Sequence, residues 1–255
     1  LYKKLNKQKH KISMIIEYDA IIIGAGAAGM MCAIEAGKRG RKVLLVDHSK
    51  KIGEKIRISG GGRCNFTNLN THASKFLSQN PKFVKSALSQ YTQNDFINLI
   101  KKYEIKFHEK KLGQLFCDHS AQQIVEMLIK ECELANVTFK KEFKVADIDK
   151  DKDQYIVSTT DEIYSAQSLI IATGGLSVPK IGATPFGYEI AKKFDLDVLE
   201  TLPALVPLTF DEQLLKMCKE LTGLSVEAIV SFNKVLFQEG MLFTHRGLSG
   251  PSILQ

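Results

Sequence analysis

Three stretches of this 255-residue chain predict an α/β protein built around a parallel sheet. The first is Ala20-Ile21-Ile22-Ile23, an unbroken apolar run of the kind found in strands buried on both faces, followed at once by Gly24, Gly26 and Gly29. The second is Val43-Leu44-Leu45-Val46, which ends on Asp47. The third is Ser168-Leu169-Ile170-Ile171-Ala172, which runs into Thr173-Gly174-Gly175 and reads as another buried strand. A strand opening into Gly-x-Gly-x-x-Gly, a small-residue helix and a second strand tipped by an acid are the parts of a Rossmann-like unit.

Each part has a physical task. Gly24 permits the tight turn out of the strand. Gly26 has no Cβ, so a pyrophosphate can approach the backbone, and Gly29 lets the helix lie close to the sheet. Ala27 and Ala28 open that helix, where free N–H groups and the positive dipole end face the phosphates. A carboxylate at Asp47 accepts hydrogen bonds from both ribose hydroxyls and repels a 2′-phosphate. That favours NAD or the ADP half of FAD over NADP without separating the first two. At the third strand, Ala172, Thr173, Gly174 and Gly175 mark a place where backbone passes close to something, which fits a second approach to the same dinucleotide.

Composition sets the outer bounds. Hydrophobic content of 44% and charged content of 25% describe an ordinary globular chain. The formal charge of +7 falls to +2 once residues 1–13 are set aside, since that segment holds five lysines and no acid. It has no apolar core of a secretory signal and is expected to be a disordered basic extension ahead of Met14. The near-neutral remainder gives no argument for nucleic acid, and no apolar run is long enough to predict a membrane span. Five cysteines, an odd number without C-x-x-C or zinc spacing, predict a reducing, cytoplasmic setting and no metal site.

Between the second and third strands lies the most unusual loop, Ser59-Gly60-Gly61-Gly62-Arg63-Cys64-Asn65-Phe66-Thr67-Asn68. Three consecutive glycines exclude helix or core strand and offer backbone N–H donors with no side chains in the way. Arg63 adds a fixed charge, and Asn65 and Thr67 are partners for a ligand ring or phosphate. Cys64 could be a nucleophile whose pKa Arg63 or a helix end lowers. Without a paired His or second Cys, a small residue beside the ligand is the favoured reading.

Beyond it, 81–91 and 92–103 read as amphipathic helices, with Thr92 and Asp95 forming a cap and Phe96, Leu99, Ile100 and Tyr103 core. Ile105–His108 and Gln114–Cys117 predict a hairpin. Ser120 is expected to open a helix, with Gln123 in the capping-box position and Ile124, Leu128 and Cys132 on one face. His108 and His119 have no metal spacing. Strands are predicted at 137–139, 143–148 and 155–159, and a helix at 188–194. From Pro203 short strands at 205–210, 226–232 and 234–237 suggest entry into a β-rich domain.

The motifs G-A-G-A-A-G, S-G-G-G-R-C-N-F-T-N at 59–68, A-T-G-G-L-S-V-P at 172–179, G-A-T-P-F-G-Y at 182–188 and L-F-T-H-R-G-L-S-G-P at 242–251 occur here in that order. Together they resemble the BaiN/RdsA-type family of NAD(P)/FAD-dependent oxidoreductases, which includes bile-acid reductase-like and aminoacetone-oxidase-like flavoproteins. The resemblance runs from about Met14 to Gln255. It implies a Rossmann-like FAD-binding domain over 14–202, with helical and β excursions, and the start of an inserted β-rich domain over 203–255. It further implies that Gly24, Gly26 and Gly29 hold the FAD pyrophosphate and that Asp47 holds the ribose. Ser59 to Asn65 would run near the flavin, the strand containing Val145 would offer backbone to the adenine, and Thr173 to Gly175 would pass the cofactor again. Members of that family continue well past this point, so a C-terminally incomplete chain is expected.

The function implied is an FAD-dependent oxidoreductase, reduced by NAD(P)H, acting on an unidentified small molecule, with no residue marked as catalytic acid or base. The alternative is a truncated, non-catalytic dinucleotide-binding remnant. A flavoprotein that modifies tRNA is a third reading, disfavoured by the near-neutral body and the lack of an aromatic-basic stripe.

Overall fold

The computed structural model describes residues 14–254; the expected extension at 1–13 lies outside them. The chain forms two compact units, one ending at Leu196 and one beginning at Asp197.

In the first unit, β1 (Ile15–Ile23), β2 (Val43–Val46), β6 (Thr138–Lys140) and β9 (Ile163–Ile171) are parallel. Two further strands, β7 (Asp147–Asp151) and β8 (Gln154–Ser158), add an antiparallel meander, giving the order β6-β2-β1-β9-β8-β7. The unbroken apolar runs follow from this topology. Ile22, Val43 and Leu45 face one core with Met30 and Ile34 of α1 (Ala27–Lys38). Ile21, Ile23, Leu44 and Val46 face the other, with Tyr164 and Val157. With both faces covered, truncating a residue such as Leu45 to Ala should cost about 2–5 kcal/mol.

A long excursion leaves the sheet after β2. It contains α2 (Glu54–Ile58), β3 (Asn65–Asn68), α3 (Phe83–Gln90), α4 (Gln93–Lys102), β4 (Phe107–Glu109), β5 (Gln114–Cys117) and α5 (Gln122–Leu134). Its three strands form a separate antiparallel sheet in the order β3-β5-β4. The Thr92–Asp95 capping box forms as expected, through Thr92 Oγ1 accepting from Asp95 N at 3.3 Å and Asp95 Oδ2 from Thr92 N at 2.7 Å. Ile124, Leu128 and Cys132 are buried on one face of α5.

Several expectations need correction. Asn65 to Asn68 is a strand and not loop, because β5 offers it an open edge. The segment 143–146, including Val145, is not strand; the chain crosses there between sheet positions and pairs only from Asp147. The tip of β9 is half-buried, since a cavity opens beside it. Helix α5 starts at Gln122 without a capping box, and Ser120 Oγ accepts from Gln122 N at 3.1 Å instead.

The second unit is an antiparallel sheet of β10 (Leu208–Thr209), β11 (Ser225–Phe232), β12 (Val235–Thr244) and β13 (Gly247–Ser249), ordered β10-β13-β12-β11. The sequence reading missed its helix Glu212–Glu220, which Asp211 caps through Leu214 N at 3.3 Å. Among the described residues no helix is long and apolar enough to cross a membrane.

Candidate dinucleotide-binding site

The carboxyl ends of β2, β1 and β9 lie side by side. Ile23 pairs with Val46 on one side and Ile171 on the other. Gly24 N donates to Val46 O at 2.8 Å, and Ala172 N to Ile23 O at 2.8 Å. The strand β1 therefore sits where the connections diverge, the position at which open parallel sheets bind ligands.

The glycines explain why the three ends can meet. Gly24 holds φ +109, and a Cβ there would lie 2.5 Å from Ala172 O. At Gly29 a Cβ would meet Gly24 O at 1.8 Å, so only glycine lets α1 settle on the strand tip. Gly26 is different: with φ −85 and ψ −169, a Cβ there would have nothing within 4 Å. That open space belongs to a cavity of about 670 Å³, a size typical of small-molecule sites. Exposed Ala27 and Ala28 line it at the start of α1, a helix with no acid in its first turn and no side-chain cap. Its first N–H groups are thus left for an anionic ligand.

Asp47 lines the same cavity, and its carboxylate already serves the loop. Oδ2 accepts from Ala25 N at 2.7 Å and Oδ1 from Ser49 N at 2.8 Å. A carboxylate has about four acceptor sites, so two remain for ligand hydroxyls. Lys51, Lys55 and Lys144 line the wall with Asp47 and Glu54, and Lys55 Nζ donates to Gly175 O at 3.0 Å.

Of the residues named from sequence, the structure brings Gly24, Gly26, Ala27, Ala28, Asp47, Ser59, Cys64, Asn65, Val145, Ala172, Thr173 and Gly174 to this one cavity. The others stand behind it. Gly29 is the helix contact. Gly60 packs on Phe116, while exposed Gly61, half-buried Gly62 and exposed Arg63 turn outward, and Gly175 meets Tyr188 and Lys55. Residues read as core also line it: Phe96, Ile124 and Leu128. Helical spacing marks an inward face, and it does not distinguish a filled interior from a cavity. Ile181 to Thr184 line it too, and the Gly182-Ala183-Thr184 motif was a usable signal.

Cys64 is buried beside Ser59, and burial pushes its thiol pKa up, partly offset by a hydrogen bond with Ser59. Its strand neighbour Cys117 is pushed up to about 12, first by burial. Both are therefore protonated at neutral pH, contrary to what an activated nucleophile requires.

Fold and site together define a Rossmann-type dinucleotide-binding α/β protein. The chain belongs to the HI0933-like protein Rossmann domain family, whose model matches residues 18–249, in agreement with the family expected from the motifs. It is 54% identical over 239 residues to a ribosomal RNA dihydrouridine synthase of Escherichia coli, covering 93% of this chain and 60% of that protein. To the protein of that name in Haemophilus influenzae it is 47% identical, covering 92% and 60%. To a 3-dehydro-bile acid delta(4,6)-reductase of Clostridium scindens it is 25% identical, covering 92% and 58%. The chain thus spans about 60% of the length of these curated relatives.

Proposed function

We propose that this protein is an FAD-dependent reductase, with NAD(P)H as electron donor, that reduces uridine in ribosomal RNA. The observation that carries the reading is the 54% identity to a ribosomal RNA dihydrouridine synthase across nearly the whole chain, including every cavity-lining segment. The substrate is then a base within RNA, which replaces the expected free small molecule and the expected absence of nucleic acid. The cytoplasmic setting read from the cysteines suits such a substrate.

The residues fit the cofactor. Gly26 leaves an open cradle at a helix N-terminus for the pyrophosphate, with Ala27 and Ala28 N–H groups around it. Asp47 holds the ribose, and the backbone around Val145 borders the adenine end. Ser59, Cys64, Asn65 and Ala172 to Gly174 border the remainder of the cavity. The cofactor supplies hydride chemistry, whereas the protein binds, orients and excludes water. Phe66, Phe96, Ile124 and Leu128 make the inner wall apolar, which keeps water from the reacting ring. Converting uridine to dihydrouridine adds a hydride and a proton across one C=C bond, so a protonated group must face the base. Cys64, His48 and the lysines Lys51, Lys55 and Lys144 are among the ionisable groups that line the cavity beside the carboxylates Asp47 and Glu54.

The test uses protein purified from its natural locus, incubated with FAD, NADPH or NADH and in vitro-transcribed ribosomal RNA. Nucleosides are then quantified by mass spectrometry. Dihydrouridine formed only with both protein and reduced nicotinamide is expected; RNA left unmodified with either donor overturns the proposal.

A further inference from the structure

The near-neutral body conceals a strong segregation of charge. Residues 63–120 hold nine Lys and Arg against four Asp and Glu, whereas residues 121–255 hold 13 against 19. The positive segment is the middle of the excursion, from the glycine loop through β3, β4 and β5 and short of the acidic helix α5, and it supplies Cys64, Asn65, Phe66 and Phe96 to the cavity. We infer that the outer side of this excursion is the surface on which RNA docks, an inference that rests on the ribosomal RNA reading above.

A chain of contacts links the cavity to the outer part of the excursion. Between cavity-lining Ser59 and Cys64 the glycine loop and exposed Arg63 turn outward, with a Cβ at Gly61 having nothing within 4 Å, so a backbone phosphate can approach closely. Asn65, exposed and cavity-lining, pairs in register with Phe116. On that ring His108 stacks at 6.4 Å and 20°, and Lys110 Nζ lies 5.4 Å from its centroid. Asp118 holds His108 from behind at 2.7 Å. Strand β3 then leads from Asn65 to the hairpin tip, where Leu69 N donates to Gly113 O at 2.8 Å and Asn68 Nδ2 to Leu112 O at 3.0 Å. The segment bearing α3 leaves from this tip and is tied back to it by Gln93 Nε2 on Leu69 O at 3.1 Å.

That segment exposes what single-stranded RNA recognition uses. Lys75, Lys82 and Lys85 are exposed beside Phe76 and Phe83, the latter 78% exposed although large and apolar. Cations for phosphates interleaved with rings for unpaired bases are the usual composition of such a surface. Lys106 and Lys110 are likewise exposed at the two ends of β4, while Lys102 forms an ion pair with Glu131 and His108 a hydrogen bond with Asp118. These cations and rings come from two parts of the excursion, residues 75–85 and 106–116, which a linear reading does not group and which the contacts at the hairpin tip link.

The experiment measures binding of fluorescein-labelled in vitro-transcribed ribosomal RNA to FAD-loaded protein across a salt series. The variant is Lys85→Ala/Lys106→Ala/Lys110→Ala, none of which lines the cavity. It should bind at least tenfold more weakly, and the slope of log affinity against log salt should fall by about 2–3, while bound FAD is unchanged. A control variant, Lys130→Ala/Lys141→Ala/Lys152→Ala, should stay within about twofold of wild type. Wild-type affinity and slope in the first variant, or equal weakening in the control, overturns the surface even where wild type makes dihydrouridine. Wild type that neither binds nor modifies ribosomal RNA removes the functional reading as well. Lysine-dependent binding to phosphatidylglycerol vesicles in place of RNA overturns the inference in favour of a membrane.

Discussion

Gly26 and Gly29 lie three residues apart in one motif, yet the structure assigns them opposite consequences. A Cβ at Gly26 meets nothing within 4 Å, and the backbone there is extended, a conformation that valine accepts. Gly26→Val exchanges an N-cap glycine for a poorer cap, a cost of about 1 kcal/mol, which lowers Tm by roughly 2–4 °C. Its isopropyl group would fill the cradle, and a loss of at least 100-fold in FAD affinity, about 2.7 kcal/mol, is expected. Gly29→Ala places a methyl group 1.8 Å from Gly24 O, a backbone atom that cannot swing aside. Overpacking of that severity costs about 3 kcal/mol and lowers Tm by roughly 6–12 °C. Thermal melts of the FAD-free proteins and FAD titration by flavin fluorescence separate the two effects. A Gly26→Val protein that binds FAD as wild type does, or one that unfolds like Gly29→Ala, refutes the reasoning about the cradle.

Four further outcomes follow from the same geometry. Burial pushes the Glu131 carboxyl up, but hydrogen bonds from Lys102 at 2.7 Å, Lys38 and Tyr103 outweigh it and hold the pKa down to about 2. The folded value lies below the unfolded one, so up to about 3 kcal/mol of stability is present above pH 4.5 and lost as pH falls toward 2. Urea melts between pH 5 and 3 should show this loss in wild type and a smaller one in Glu131→Gln; identical pH profiles would refute it. Cys64→Ser should leave flavin reduction by NAD(P)H within about threefold of wild type, as the thiol is protonated and is no nucleophile; a loss of several orders of magnitude in stopped-flow traces would show the opposite. Asp47→Ala removes acceptors for Ala25 N and Ser49 N and should cost about 1–3 kcal/mol of stability together with at least tenfold in FAD affinity; unchanged melts and titrations would contradict both roles. Thr92→Ala should lower stability by about 1 kcal/mol through the lost cap and leave FAD binding untouched, whereas a parallel loss of FAD would show that the cap also fixes Phe96 of α4 at the cavity wall.

The elements nearest the site were the most legible in the sequence. Strand β2 runs over Val43–Val46 as read, because an apolar run buried on both faces has one solution in a parallel sheet. The glycine spacing located the turn at Gly24 and the close helix packing at Gly29, because at both a Cβ would run into backbone. Less legible was anything decided by partners distant in sequence. Asn65 to Asn68 reads as loop until β5 is placed beside it. Val145 borders the cavity without being in a strand. Phe96 has the spacing of a core residue and is both core contact and cavity wall. Helix Glu212–Glu220 was passed over among the strands around it, although its amphipathic pattern and the capping Asp211 were usable signals.

The central claim is that the cavity at the ends of β2, β1 and β9 is an FAD site. Its most direct test is the visible absorbance spectrum of protein purified under native conditions, followed by chromatography of the cofactor released on denaturation. The expected result is one flavin per chain, released as FAD and absent from Gly26→Val protein of normal melting behaviour. Wild-type protein that stays colourless after incubation with FAD, or that carries flavin equally well with valine at position 26, would contradict it.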